Sequence, residues 1–201
     1  MIPPGCVNQG ILLKALIRDC AHVPAPNPGS YEVSYPEFLE YFRAVPLLTK
    51  HHLIIAANFS YGWMPTILDF RSDAYEGAVG YLERARQSGD LKSHELFALS
   101  RLVNNSMVGA SKLLHFASPS HYAIWDSRVA KYLGSSLILG DRSGEQYAAY
   151  NDCCRSICGR PEASTVADRV GEVIGYRVHP MRAIELVMYH GGVAKRSCLD
   201  Q

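Results

Sequence analysis

Apolar residues recur along this chain with a helical period. Tyr75, Ala78, Val79, Leu82 and Ala85 fall at i, i+3, i+4, i+7 and i+10, and Leu96, Leu99, Leu102 and Val103 follow a similar spacing. In the next segment Ala110, Leu113, Leu114 and Ala117 form an apolar stripe, with Val108, Ser111, Lys112 and His115 on the opposite, more polar face. The punctuation agrees with this period. Gly89-Asp90 is a stop and Ser93 a start, and Asp126 opens a helix that carries Val129, Ala130 and Leu133 and ends at Gly134. Ser143, Ser164, Gly175 and Pro180 bound further helices near 143–157, 163–174 and 180–190. The run HLIIAA from His52 is the one strand-like signal, but its continuation to Phe59 favours a buried helix. Residues 1–35 are rich in Pro, Gly and Asn and predict an irregular lead-in around one short helix near 10–20. The expectation is a single all-α domain over residues 1–201, a compact bundle of about eight helices.

Composition narrows this little. Of 201 residues, 48% are hydrophobic and 19% charged, the balance of an ordinary globular protein. No apolar run approaches the ~20 residues that span a bilayer. MIPPGCVNQG has no basic segment leading into an apolar one, so no secretory signal is expected. The six cysteines lack C-x-x-C spacing in CCRSIC and have no second cluster with ligand spacing. They read as reduced, partly buried thiols in a cytoplasmic protein with no metal and no cofactor. A formal net charge of +1 lacks the basic excess common in nucleic-acid binders. A local patch of Arg101, Lys112, Arg128 and Lys131 lies within one third of the chain.

The stretch VGASKLLHFASPSHYAIWDSRVAKYL (108–133) carries the candidate chemistry. It sets Lys112 on one helix, then a Pro-marked break, then the apolar run Tyr122–Trp125 ending on Asp126 at the start of another helix. A lysine can attack an electrophilic sugar carbon, and a carboxylate can stabilise the positive charge that develops there. Each residue also has a simpler reading. Asp126 is also a helix cap, Lys112 a surface lysine, His115 a packing residue, and Trp125 and Tyr122 core. Tyr61 and Trp63, in a Gly-Trp-Met-Pro turn, offer aromatic faces on which a flipped base can stack.

This stretch resembles the helix-hairpin-helix DNA glycosylases, especially the compact archaeal-type 8-oxoguanine DNA glycosylases. MVGASKLLHF resembles that family's lysine helix, YAIWDSRVAKYL its aspartate segment, and VHPMRAIELVMYHGG its closing helices, so the similarity covers about residues 93–192. Of the family's Gly-x-Gly hairpin only Gly109 remains. The resemblance implies an enzyme acting on a nucleotide flipped from double-stranded DNA. Asp126 and Lys112 would be catalytic, Tyr61, Trp63, His115 and Trp125 would contact the base, and Gly109, Ser111, Arg128 and Lys131 would contact the DNA. Two alternatives remain: a phage-type transferase that hypermodifies DNA bases on the same scaffold, and a non-enzymatic helical binding module.

Overall fold

The computed structural model describes residues 8–27, 31–62, 67–69 and 75–199, and among these the chain is all-α. It forms α1 Gln9–Asp19, α2 Tyr31–Ala44, α3 Lys50–Gly62, α4 Tyr75–Ser88, α5 Ser93–Leu102, α6 Met107–Ala117, α7 Ser127–Tyr132, α8 Ser143–Cys158, α9 Pro161–Ile174 and α10 Pro180–Val193. Ten α-helices among the described residues thus stand where the sequence pattern predicts about eight. None is long and apolar enough to cross a membrane.

The boundaries follow the local chemistry. Asn8 caps α1 by accepting from the Gly10 and Ile11 amides, and Glu95 reaches back to the Lys92 amide (2.8 Å) at the start of α5. Pro161 and Pro180 occupy first turns, where their missing N–H costs nothing. Gly175 closes α9 at φ 85°, a left-handed position that a side chain would strain.

α6 lies at the centre, packed by α2, α3, α4, α5 and α8. Met107 and every residue from Gly109 to Ala117 are buried. The polar face expected along Ser111, Lys112 and His115 is therefore inside the protein. A helix enclosed by neighbours has no solvent side, whatever its own periodicity. α7 and α9 pack on α10, and α1 packs against α8, α9 and α10. The lead-in is tied to this layer by Tyr132, which donates to the Asp19 carboxylate (2.8 Å).

Gly191 and Gly192 set how closely α10 approaches α7. A Cβ at Gly192 would lie 2.1 Å from the Arg128 carbonyl oxygen, and one at Gly191 would lie 2.5 Å from the Tyr132 ring. An alanine in a helix interior normally stabilises by about 0.5–1 kcal/mol over glycine. Here the obstacle is backbone, so the clash wins. Gly192→Ala is expected to destabilise by about 1–3 kcal/mol, read as a lower urea midpoint with an unchanged m-value. A stabilised variant would show that the helices are not in close contact.

Candidate active site

The segment that delivers Asp126 is extended and buried, and no sheet partner serves it. The His121 and Tyr122 amides bond the Ser118 carbonyl, both at 3.1 Å, and the segment's other peptide groups would be unsatisfied unless side chains supplied the bonds. They come from α6 and α8. The Ser111 hydroxyl accepts from the Trp125 amide (2.9 Å) and donates to the Val108 carbonyl (2.8 Å). His115 Nδ1 meets the Tyr122 carbonyl at 2.6 Å. Asn151 accepts from the Ala123 amide (2.9 Å) and donates to the His121 carbonyl (2.8 Å). Tyr147 and Tyr150 donate to the carbonyls of Ala123 and Ile124, both at 2.9 Å. Trp125 closes the arrangement with its ring against Tyr150, centroids 4.5 Å apart.

Asp126 then caps α7. Its Oδ1 accepts from the amides of Arg128 (2.8 Å) and Val129 (2.9 Å). Two bonds to one oxygen fix the carboxylate plane, and Oδ2 has no hydrogen-bond partner among the described residues. The capping and catalytic readings are therefore compatible: one oxygen anchors the carboxylate and the other is open.

Lys112 is buried, 9% exposed, and makes no hydrogen bond or ion pair with any described residue. Burial pulls its pKa down to about 8. The carboxylates of Asp126 and Glu185 oppose that shift, and the guanidinium groups of Arg182 and Arg128 add to it. A lysine that ionises near neutrality supplies a free amine, which an ordinary lysine does not. The surface-lysine reading is thus corrected, because the neighbouring helices enclose it.

Two of the charged groups that act on this lysine, Arg182 and Glu185, were missed in the sequence. Arg182 and Glu185 lie three residues apart in the otherwise apolar frame PMRAIELVM, and two opposite charges at that spacing in such a helix are the signal that could have found them. They form a buried ion pair. Burial pushes the Glu185 carboxyl up to about 7 against the pull of Arg182. The Arg182 guanidinium lies over the Tyr35 ring, 4.8 Å from its centroid. Tyr35 in turn hydrogen-bonds His115 Nε2 at 2.7 Å.

His115 is fully buried with both ring nitrogens engaged, and burial holds its pKa down to about 3, so the ring is neutral. Trp125 is core, and Tyr61 is buried with its hydroxyl donating to the Val103 carbonyl (2.9 Å). None of the three offers an open face to a base in this conformation. Trp63 lies outside the described residues. Ser111 is fully buried and serves the aspartate segment rather than a surface.

Gly109 is not the hairpin turn either. That turn is made by Asn104 and Asn105 at φ 57° and 50°, a left-handed conformation that asparagine tolerates. The Gly109 amide is taken by the Ser106 hydroxyl (3.2 Å), and its bare Cα lets the Tyr61 ring close in. Arg128 and Lys131 are exposed, and the Arg128 guanidinium covers the Tyr189 ring, 4.8 Å from its centroid. Arg101 is exposed as well.

Cys154 hydrogen-bonds Tyr150, one of the groups that hold the aspartate segment. Cys153 and Cys154 are buried and Cys158 is half-buried, and burial raises all three pKa values, Cys158 to about 12. No group of His, Cys, Asp and Glu that could hold a metal ion occurs among the described residues. Searches against protein-family profiles, curated proteins and solved structures gave no match in any of the three.

Proposed function

We propose that this protein is a DNA glycosylase-like enzyme acting on a flipped nucleotide, with Lys112 as nucleophile and Asp126 as the group that stabilises the sugar cation. The observation that carries this reading is a buried lysine with a lowered pKa that feels the charge of an aspartate whose cap leaves one oxygen open. As the bond from C1′ to the base breaks, Asp126 offsets the developing positive charge. The neutral Lys112 amine forms a bond to C1′, loses a proton, and the sugar ring opens to a Schiff base.

The decisive experiment uses a duplex containing an abasic site. Its C1′ aldehyde condenses with Lys112 with loss of water, and borohydride reduces the Schiff base to a stable secondary amine. The expected result is a crosslinked species that maps to Lys112 by peptide mass spectrometry. A crosslink at another lysine, or none with abasic and base-modified duplexes alike, would overturn the assignment.

DNA binding is expected to use Arg128 and Lys131 on α7, with Arg101, through phosphate contacts. Affinity should fall steeply with salt, because neutralised phosphates release counterions. Lys131→Ala should weaken binding to all sequences alike and lower the log–log salt slope by about 1. An unchanged slope removes Lys131 from the interface.

The phage-type transferase is the second reading. The Asn104-Asn105 turn that replaces a glycine hairpin favours it, because a repair enzyme of the resembled family uses that hairpin to hold phosphate. In this case Asp126 would still be required while no Lys112 crosslink would form.

A further inference from the structure

A cavity of about 590 Å³ opens between α2, α4, the end of α6 and the α9–α10 loop, and neither Lys112 nor Asp126 lines it. Its floor is aromatic. Tyr35 and Phe116 are almost fully buried there, and half-buried Tyr176 lies nearly parallel to Tyr35, ring centroids 6.0 Å apart and 20° between planes. Its lining includes three arginines, Arg43, Arg86 and Arg177, and no carboxylate among the described residues.

The three arginines differ in how they are held. Arg86 is fixed by the Val45 carbonyl (2.8 Å) and by Glu83 (3.4 Å), so its guanidinium is preorganised and only partly exposed. Arg43 is exposed and paired with Glu40 on its own helix. Arg177 is exposed and has no hydrogen bond or ion pair to any other described residue. The volume falls within the ~300–1,000 Å³ typical of small-ligand sites. Aromatic floors accept planar rings, and guanidinium groups accept phosphate or carboxylate through paired N–H donors.

We infer that this cavity binds a planar aromatic ring carrying an anionic group, as in a nucleoside monophosphate, with the ring on the Tyr176 side and the anion at Arg86 and Arg177. The inference does not rest on the glycosylase reading, since neither Lys112 nor Asp126 lines this cavity. Tyr35 nevertheless joins them physically. It forms part of the cavity floor and also hydrogen-bonds His115, which holds the aspartate segment. The same chemistry is offered by a free nucleotide and by the 5′-phosphorylated end of a strand.

Isothermal titration of the whole protein with 2′-deoxyadenosine 5′-monophosphate tests this, with deoxyadenosine, inorganic phosphate and a 5′-phosphorylated oligonucleotide as separate arms. The nucleotide is expected to bind more tightly than either of its parts. Arg177→Gln is expected to weaken it roughly tenfold, because a charge-assisted bond is lost. Leu39→Trp, which fills the cavity from a half-buried lining position, should abolish it. Arg177→Gln should melt as the native protein does, since Arg177 is exposed, and Leu39→Trp, at a position packed against the edge of the core, is read only with a melting curve that shows it folded.

Binding of the free nucleotide supports a small-molecule site. Binding of the phosphorylated oligonucleotide alone, with the same dependence on Arg177 and Leu39, supports a strand-end site. Absence of binding in every arm at millimolar ligand, or binding unaffected by both variants, overturns the inference. Asp126→Asn should leave this binding intact even where it ends catalysis, which separates failure here from failure of the glycosylase reading.

Discussion

Asp126→Asn is expected to lower turnover on the nucleotide substrate by about two to three orders of magnitude, with DNA affinity nearly unchanged. The size of the effect follows from what the substitution removes. Asparagine caps a helix about as well as aspartate, so its amide oxygen can keep the bonds from the Arg128 and Val129 amides. Fold and local geometry should therefore survive, checked by an unchanged melting temperature. What is lost is a full negative charge at the open oxygen, whose partner is the positive charge present only in the transition state. Single-turnover kinetics on a base-modified duplex read this loss directly. A fully active variant would reduce Asp126 to a cap and remove the enzymatic reading.

Lys112→Met is expected to abolish the borohydride crosslink and at the same time to stabilise the protein, by about 1–3 kcal/mol near neutral pH. The two effects have one cause. Burial disfavours the charged amine, so in the folded protein Lys112 holds its proton less tightly than in the unfolded chain. Below about pH 8 the native state carries that whole penalty. As pH rises from about 8 towards the ordinary 10.5, the unfolded chain binds more protons than the native state and native stability climbs. The advantage of Lys112→Met should therefore shrink across that window in chemical denaturation curves. Catalysis should move with the same group: turnover is expected to rise with pH and level off above about 8, because the attacking species is the neutral amine. A variant that is both less stable and still crosslinked would contradict both halves of the argument. A stabilising substitution that ends activity is the usual sign of a residue kept for function.

Glu185 imposes the opposite slope at lower pH. Its carboxyl is pushed up to about 7, so between the ordinary 4.5 and about 7 the native state holds more protons than the unfolded chain. Native stability from this group falls as pH rises through that range. His115, held neutral at about 3 in the fold against an ordinary 6.5, gives a stability contribution that is lost on acidification below 6.5.

Much of the framework was legible in the sequence because it is set locally. The i, i+3, i+4 spacing of Tyr75–Ala85 and Leu96–Val103 marks helices, and the side chain of Asp126 holds the first-turn amides of its own. The stops at Gly89 and Gly134 fall at positive φ, where glycine is the least strained residue. The lysine and aspartate on consecutive helices were legible in the same way, as residue types at a spacing.

Their surroundings were not. The periodicity of α6 assigns one face to the core, but α2, α3, α4, α5 and α8 enclose it, so Ser111, Lys112 and His115 are buried. Ser111 and His115, expected at DNA and base, instead bond an extended segment whose own need for partners shows only once α6 and α8 flank it. Gly109 serves the Tyr61 contact, and the hairpin turn falls to Asn104 and Asn105. The Arg182–Glu185 pair, distant in sequence, adds its charges to those of Asp126 and Arg128 around Lys112.

The sequence by itself determined that the chain is helical, where several helices start and stop, and that Asp126 caps one of them, because capping and period are decided within a few neighbouring residues. Only the tertiary structure decided that Lys112 is desolvated and that one Asp126 oxygen stays open. Desolvation and unmet hydrogen bonds depend on every element packed around a group, and those elements are brought together by folding rather than by adjacency in the chain.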